Sequence, residues 1–357
     1  MGRRSRSRGA LYGLAIGDAL GMPTQSLPRA EIVARFGGLV GGFSAADPDH
    51  PLAAALPAGT VTDDTEQAVL LGRLIIETGG QVDAAELARR LIAWEEDVRA
   101  RGSLDLLGPS TKRALTALLA GAAPAEAGRL GTTNGAAMRI APVGVATPAD
   151  DLELLVGRVV AASHITHNTG VALAGAAAVA AAVSAGIDGA SQAEAFGLAV
   201  AAARQGATHG HWVAAADVAS RISWATRLVA GLGADDAIDV IGRLVGTSLA
   251  TQESVPAAFA VLAASPGDPW RACRIAASVG GDCDTIAAIA GAIGGACHGV
   301  ERFPAHARQA IDRVNGLGLG EIADGLLALR EASRSGSAAF RGPAGQPGPA
   351  QPDRSGS

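Results

Sequence analysis

Apolar residues recur along this chain at three- and four-residue spacing, the period of an amphipathic helix. The pattern predicts helices over Ala10–Leu20, Thr65–Thr78, Ala84–Arg99, Ser110–Ala120, Asp150–Ala162, Gly170–Ala185 and Gln192–Arg204. It continues over Val213–Ala230, Ala234–Val245, Val255–Ala264, Trp270–Val279, Thr285–His298, Ala305–Val314 and Ile322–Ala332. No convincing run alternates apolar and polar positions, and β-branched residues are scattered among alanines, so no strand is predicted. The connections are short and rich in Gly, Pro, Asp and Thr, as between packed helices. Two stretches break the period. Phe36–Ala58 is rich in Gly and Pro and reads as an ordered loop. Residues 334–357 carry Ser, Gly, Pro and Arg with almost no apolar residue and read as a disordered tail. The fold class is therefore all-α, one compact bundle of many Ala- and Gly-rich helices over residues 8–333, preceded by a basic arm at residues 1–7.

Composition sharpens this picture. Hydrophobic residues make up 48% of the 357 positions, which excludes global disorder. Aromatics are only 3%, so the core is built from Ala, Leu, Val and Ile, and 48 glycines let helix backbones approach closely. The formal net charge of −5 argues against a nucleic-acid partner, which calls for a basic domain. The exception is the cluster Arg3, Arg4, Arg6 and Arg8, read as a solvated start of the chain rather than a targeting or anion-binding arm. Cys273, Cys283 and Cys297 are odd in number and form no CxxC pair, which fits a reducing cytoplasm. The basic start lacks the apolar run of a signal peptide. The apolar stretch Val171–Ile187 is shorter than the roughly 20 residues of a membrane span and reads as a core helix, so no membrane partner is expected.

The candidate chemistry lies at helix starts. Thr62-Asp63-Asp64-Thr65-Glu66 stands before an apolar helix. Asp63 with Glu66 satisfies a capping pattern, but one carboxylate suffices for a cap, and two adjacent ones between hydroxyls exceed it. Gly280-Gly281-Asp282-Cys283-Asp284-Thr285 opens a second apolar helix, and its glycines permit a tight approach. If the two helix starts pack together, four carboxylates converge. Anions about 4 Å apart repel by about 4 kcal/mol per pair at an effective dielectric near 20, and two divalent cations would balance the charge. All-oxygen ligands select Mg²⁺ first, then Mn²⁺, with Ca²⁺ also open. Neither cluster holds a His, and Cys283 sits between ligands in a loop expected to turn it away, so zinc is disfavoured.

Three further segments stand out. Gly131-Thr132-Thr133-Asn134-Gly135 is either a turn into a helix or a loop presenting backbone N–H groups to an anion such as a phosphate. His164 and His167, three apart, are either core and capping histidines or metal ligands; His167 could instead hydrogen-bond a phosphate or ribose. Asp18 in an apolar helix needs a partner, as a structural carboxylate or as an organiser of the site. The segment Leu106–Thr111, with Trp94, Glu95 and Glu96 upstream, either holds a simple cap at Ser110 or shapes an acceptor pocket.

These motifs together resemble the ADP-ribosylglycohydrolase family: GDALGMP at Gly17–Pro23, TDDT at Thr62–Thr65, NGAAMRIAPVG at Asn134–Gly144, SHITHN at Ser163–Asn168 and GGDCDTIAAIAGAI at Gly280–Ile293. They occur in family order and cover most of the chain to about Val300. The resemblance implies an all-α orthogonal bundle with a binuclear Mg²⁺ or Mn²⁺ site that activates water against the anomeric carbon of a ribose. By position it implies Thr62, Asp63, Asp64, Asp282, Asp284 and Thr285 as metal ligands. It implies Gly131, Thr132, Thr133, Asn134 and Gly135 as a phosphate-binding loop, and His167 as a substrate contact. Where many members carry a Glu after GDALGMP, this chain has Thr24-Gln25; Gln25 can bind and position but cannot transfer a proton, which leaves Asp63 or Asp64 as the candidate base. The expected activity is metal-dependent release of ADP-ribose from a modified protein side chain or small acceptor. Hydrolysis of a small N-riboside and non-catalytic ADP-ribose binding are the alternatives.

Overall fold

The computed structural model describes residues 1–102 and 107–340, with side chains as far as Ser335. Among them the elements are α1 (Arg3–Gly21), α2 (Arg29–Phe36), α3 (Asp63–Glu77), α4 (Ala84–Ala100), α5 (Pro109–Leu119) and α6 (Pro124–Ala127). Then follow α7 (Gly135–Met138), α8 (Ala141–Ala146), α9 (Leu152–Ser163), α10 (Gly170–Ile187), α11 (Gln192–Gly206) and α12 (Val218–Leu228). The described residues end with α13 (Ala234–Val240), α14 (Thr251–Ala263), α15 (Pro269–Ala276), α16 (Cys283–His298), α17 (Ala305–Asn315) and α18 (Leu319–Phe340). No strand forms among the described residues; two isolated bridges, Thr133 with Ala250 and Thr169 with His211, tie loops together. The all-α expectation holds.

Side-chain caps fix many of the helix starts, as at Asp83, Asp151, Thr169, Asp217 and Asp268, and Ser191 forms a full capping box with Glu194. Helix α10 is apolar on all sides and almost wholly buried, a core helix although its length and composition alone would suit a membrane.

The tightest packing joins α1 to α16, which run antiparallel. Gly9, Gly13, Gly17 and Gly21 recur every fourth residue on α1 and face Gly295, Gly291, Ala287 and Asp284 of α16. A Cβ at any of the four would lie within 3.0 Å of α16 backbone atoms. The helices therefore meet backbone to backbone, with no room for a side chain at these four positions. The first of these glycines lies near the end of α16, and the last abuts Asp284 at its beginning.

Three sequence expectations change. The basic arm is helical, part of α1, and only its first residues stay solvated: Arg6 donates to the Gly186, Ala296 and Cys297 carbonyls at the ends of α10 and α16, while Arg8 and the exposed Arg4 share Asp324 and the exposed Arg3 binds Asp188. Open carbonyls at helix C-termini attract cations, which holds Arg6, while carboxylates hold the other three. Helix α2 appears where no helix was expected, because its single buried residue, Ile32, leaves almost no periodic signal. Helix α18 runs seven residues past the expected domain end at 333, to Phe340; residues 341–357 of the expected tail lie outside the described residues.

Gly17→Ala should lower the thermal unfolding midpoint sharply, since overpacking costs about 1–3 kcal/mol even where side chains, not backbone, must yield. Gly197→Ala, on α11 with nothing within 4 Å of its added Cβ, should be neutral or stabilising by up to about 1 kcal/mol. Equal responses in a thermal melt would remove the α1–α16 contact from its place in the fold.

Candidate functional site

The site forms where α1 delivers Asp18 to the start of α3. Asp18 is fully buried and accepts hydrogen bonds from the Thr62 N–H at 3.0 Å, the Thr65 N–H at 3.1 Å and the Thr65 hydroxyl. It satisfies open backbone donors of α3 from a different helix. Of its two expected roles it fills both, as a satisfied structural carboxylate that fixes the segment bearing Asp63 and Asp64. The intrahelical cap is Thr62 rather than Asp63, and the Thr62 hydroxyl lies 3.4 Å from both the Asp64 N–H and Asp64 Oδ2.

Helix α16 brings the second cluster. Gly280 and Gly281 adopt φ of +84° and +70°, conformations that favour glycine. Their turn joins two other loops to the helix start: Ser26 N–H donates to Gly281 O at 2.7 Å, Gly281 N–H to Leu27 O at 3.1 Å and Asp282 N–H to Thr247 O at 2.8 Å. The Thr285 hydroxyl donates to Asp64 Oδ2 at 3.1 Å, so the clusters 221 residues apart touch directly. Cys283 turns away as expected, its Sγ 3.2 Å from the Thr24 hydroxyl. Asn134, held by its N–H to Leu249 O at 3.0 Å, donates its amide to Ser254 at 2.9 Å and to Asp282.

A cavity of about 670 Å³ opens over these residues. Asp63, Asp282, Asp284, Thr285 and Gln25 line it, as do Thr133, Asn134 and Gly135. That size suits a nucleotide-sized ligand. Asp64 lies buried beneath, and Thr62 lines an adjoining cavity. Gly131 and Thr132 support the loop from behind: Gly131 O accepts from the Thr169 hydroxyl, and Thr132 O accepts the Thr251 N–H and hydroxyl. His167 is fully buried behind Gly135 and Thr133 of the cavity lining, with the Thr133 hydroxyl 3.0 Å from Nε2. His164 instead bonds the Val160 carbonyl through Nδ1 at 3.0 Å, so the two histidines share no centre. Of the expected acceptor segment, Pro109 and Thr111 line the cavity with Leu107 and Gly108, while Leu106 lies outside the described residues. Trp94 opens on an adjoining cavity that shares Asp63, and its indole donates to Glu66. Sequence reasoning missed Thr247–Ala250, which also lines the main cavity; its signal was the hydroxyl pair Thr247-Ser248 after Gly246.

Crowded carboxylates leave an electrostatic mark. Burial raises the Asp18 and Asp282 carboxyls to about 6. Asp64 is pushed well above the usual range by burial first, then by repulsion from Asp284, Asp63, Asp18 and Asp282. Its Oδ1 is buried without a hydrogen-bond partner. Among the described residues the side chains do not close into a ready-made metal cage of three or more His, Cys, Asp or Glu groups. The donor chemistry nevertheless fits a hard divalent ion: carboxylates and hydroxyls without imidazole or thiolate, and an orphan buried carboxylate oxygen. Gln25 presents a buried Nε2 that also lacks a partner.

A sequence profile described as ADP-ribosylglycohydrolase matches residues 1–336. The protein YegU of Escherichia coli (strain K12) is 35% identical over 330 residues, covering 92% of this chain and 98% of YegU. The ADP-ribosyl-[dinitrogen reductase] glycohydrolase of Rhodospirillum rubrum is 33% identical over 172 residues, 46% of this chain and 51% of that protein. A solved ADP-ribosylglycohydrolase-related protein complex has the same fold, with a TM-score of 0.66 at 24% identity over 92% of this chain and 99% of its own.

Two isosteric substitutions should move stability in opposite directions in EDTA. Asp18→Asn turns an amide donor toward backbone donors and should destabilise by about 1–3 kcal/mol. Asp64→Asn keeps the acceptor for Thr285 and relieves the repulsion, so its thermal midpoint should rise. A fall in both would show that Asp64 is not under electrostatic strain.

Proposed function

The chain belongs to the ADP-ribosylglycohydrolase family and is a glycosidic hydrolase, and from that premise we propose that it releases ADP-ribose from an ADP-ribosylated protein side chain or small acceptor with the help of divalent metal. The carrying observation is that one 670 Å³ cavity has carboxylates on one wall and the Thr133-Asn134-Gly135 loop on another. A substrate with a ribose at one end and a diphosphate at the other needs both chemistries within one reach.

The residues take distinct roles in this reading. Thr62, Asp63, Asp64, Asp282, Asp284 and Thr285 would hold two Mg²⁺ or Mn²⁺ ions. When bound, the ions supply positive charge that orients the ribose diol and favours ionisation of water. Asp63 is the better base of the two candidates, because it faces the cavity while Asp64 is buried beneath it. Gln67 holds the Asp63 Oδ2 through its amide at 2.9 Å, fixing the carboxylate that accepts the proton of the attacking water. The surrounding carboxylates stabilise positive charge developing on the sugar in an oxocarbenium-like transition state. Gln25 donates from its unpartnered amide to the bound group and holds no proton in exchange. The Thr133 loop receives the anionic phosphates.

Purified protein with Mg²⁺ should release ADP-ribose from one member of a panel of ADP-ribosyl-arginine, ADP-ribosyl-serine and simple N-ribosides, read by mass spectrometry, and EDTA should abolish the release. Free ribose from an N-riboside alone would move the substrate class. Silence across the panel with measurable ADP-ribose binding would make the protein a binder. Asp284→Ala should remove metal-dependent release while the helical circular dichroism persists. Gln25→Glu should change the rate if position 25 faces the scissile bond.

Metal binding should also depend on pH with a defined sign. Burial, joined at Asp64 by repulsion from its neighbours, keeps protons on Asp64 and Asp282 to higher pH than usual, and an incoming cation must displace them. The rise in thermal midpoint on adding Mg²⁺ should therefore be larger at pH 8 than at pH 5.5. The reverse trend would contradict carboxylate ligation.

A further inference from the structure

Beneath the cavity lies a continuous chain of hydrogen bonds that joins its two walls. At one end Gln67 Nε2 donates to Asp63 Oδ2 at 2.9 Å. Arg139, fully buried, donates from one terminal nitrogen to Gln67 Oε1 at 3.1 Å and from the other to the Thr166 hydroxyl at 2.5 Å. The Thr166 oxygen lies 2.8 Å from His167 Nδ1, and His167 Nε2 lies 3.0 Å from the Thr133 hydroxyl. The order is Asp63, Gln67, Arg139, Thr166, His167, Thr133.

A guanidinium has only donors, so Arg139 fixes Gln67 and Thr166 as its acceptors, and the nearer of two acceptors then decides where the Thr166 proton goes. Gln67 must turn its oxygen to Arg139, which leaves its amide nitrogen facing Asp63. Thr166 must accept from Arg139. Its own proton then goes to His167 Nδ1 at 2.8 Å in preference to the Ser163 carbonyl at 3.3 Å. His167 is held neutral by burial and by the nearby Arg139 and Arg113 charges, so its ring has one donor and one acceptor. With Nδ1 accepting, Nε2–H donates to the Thr133 oxygen. The Thr133 proton is then left to donate into the cavity.

We propose that Arg139 is a positioning residue that orients donors toward both walls of the cavity, the Gln67 amide toward Asp63 and, through Thr166 and His167, the Thr133 hydroxyl toward the anionic part of the substrate. This deepens the ADP-ribosyl hydrolase reading and rests on it for the identity of the anion. A planar fork is required, because the two bonds leave in different directions from one rigid group.

The test separates the two arms. Nitrogen-15 NMR of the full-length protein should find His167 in the Nε2–H tautomer. Thr166→Val should lose that signature and weaken ADP-ribose binding, measured by calorimetry, about tenfold, the scale of one hydrogen bond to a charged group. Thr166→Ser should restore both. Gln67→Met should leave the ADP-ribose dissociation constant within about twofold and lower kcat about tenfold. Arg139→Lys, which keeps the charge without the fork, should show both losses. If Arg139→Lys fails to fold, the variants on either side still decide the matter. An Nδ1–H tautomer in the unsubstituted protein, or unchanged ADP-ribose binding in Thr166→Val, overturns the proposal. Absence of hydrolysis across the substrate panel overturns the enzymatic reading instead, and the tautomer would still report on the relay.

Discussion

The backbone contact between α1 and α16 is the constraint on which the site depends. Four glycines spaced by four residues allow it, and the contact ends at Gly21 against Asp284, where the chemistry begins. Asp18 sits one turn back on α1 and reaches across to the start of α3. Thus one helix pair fixes α16 directly and α3 through a buried carboxylate. With no side chain between the two backbones, the relative height of the helices has no soft element to absorb change. Placement of reacting groups to a fraction of an ångström is what such catalysis asks of a scaffold.

The same arrangement explains a cost. Several carboxylates are buried close together, and one of them keeps an oxygen without a partner. Fold stability alone would favour replacing some of them. Asp18 differs from the others because backbone and hydroxyl donors surround it. Asp64 has hydroxyl partners on one oxygen only. The contrast separates a carboxylate that serves the fold from one whose setting suits a ligand, although both are equally buried.

Much of this was legible in the sequence. The three- and four-residue apolar period gave nearly every long helix, because Ala, Leu and Val on one face are both the signal and the cause of burial. The two acidic clusters were visible as more carboxylates than a helix start needs. Their convergence followed only from the family resemblance, since nothing in local sequence encodes which helices become neighbours over more than two hundred residues. Arg6 was misread for a related reason: a charged residue looks solvated until the carbonyls it will meet are known. Thr247–Ala250 was overlooked because a loop with two hydroxyls has no periodicity to mark it. His167 was expected to touch the substrate itself, yet its ring lies buried and hydrogen-bonded to Thr133, a placement that no local pattern encodes.

The α1–α16 contact also bears on how the chain comes to be folded. Its two partners are made far apart in time, with roughly 260 residues between Gly21 and Asp284. At synthesis rates of about 5–20 residues per second, α1 waits tens of seconds for its mate. Throughout that interval its glycine stripe is uncovered, and glycine is a poor helix former when nothing packs against it. The α1 segment therefore has little reason to hold its helix before α16 arrives. Docking of α1 then belongs to the final steps of folding, and nascent chains stalled before residue 283 should expose the segment to proteases and chaperones.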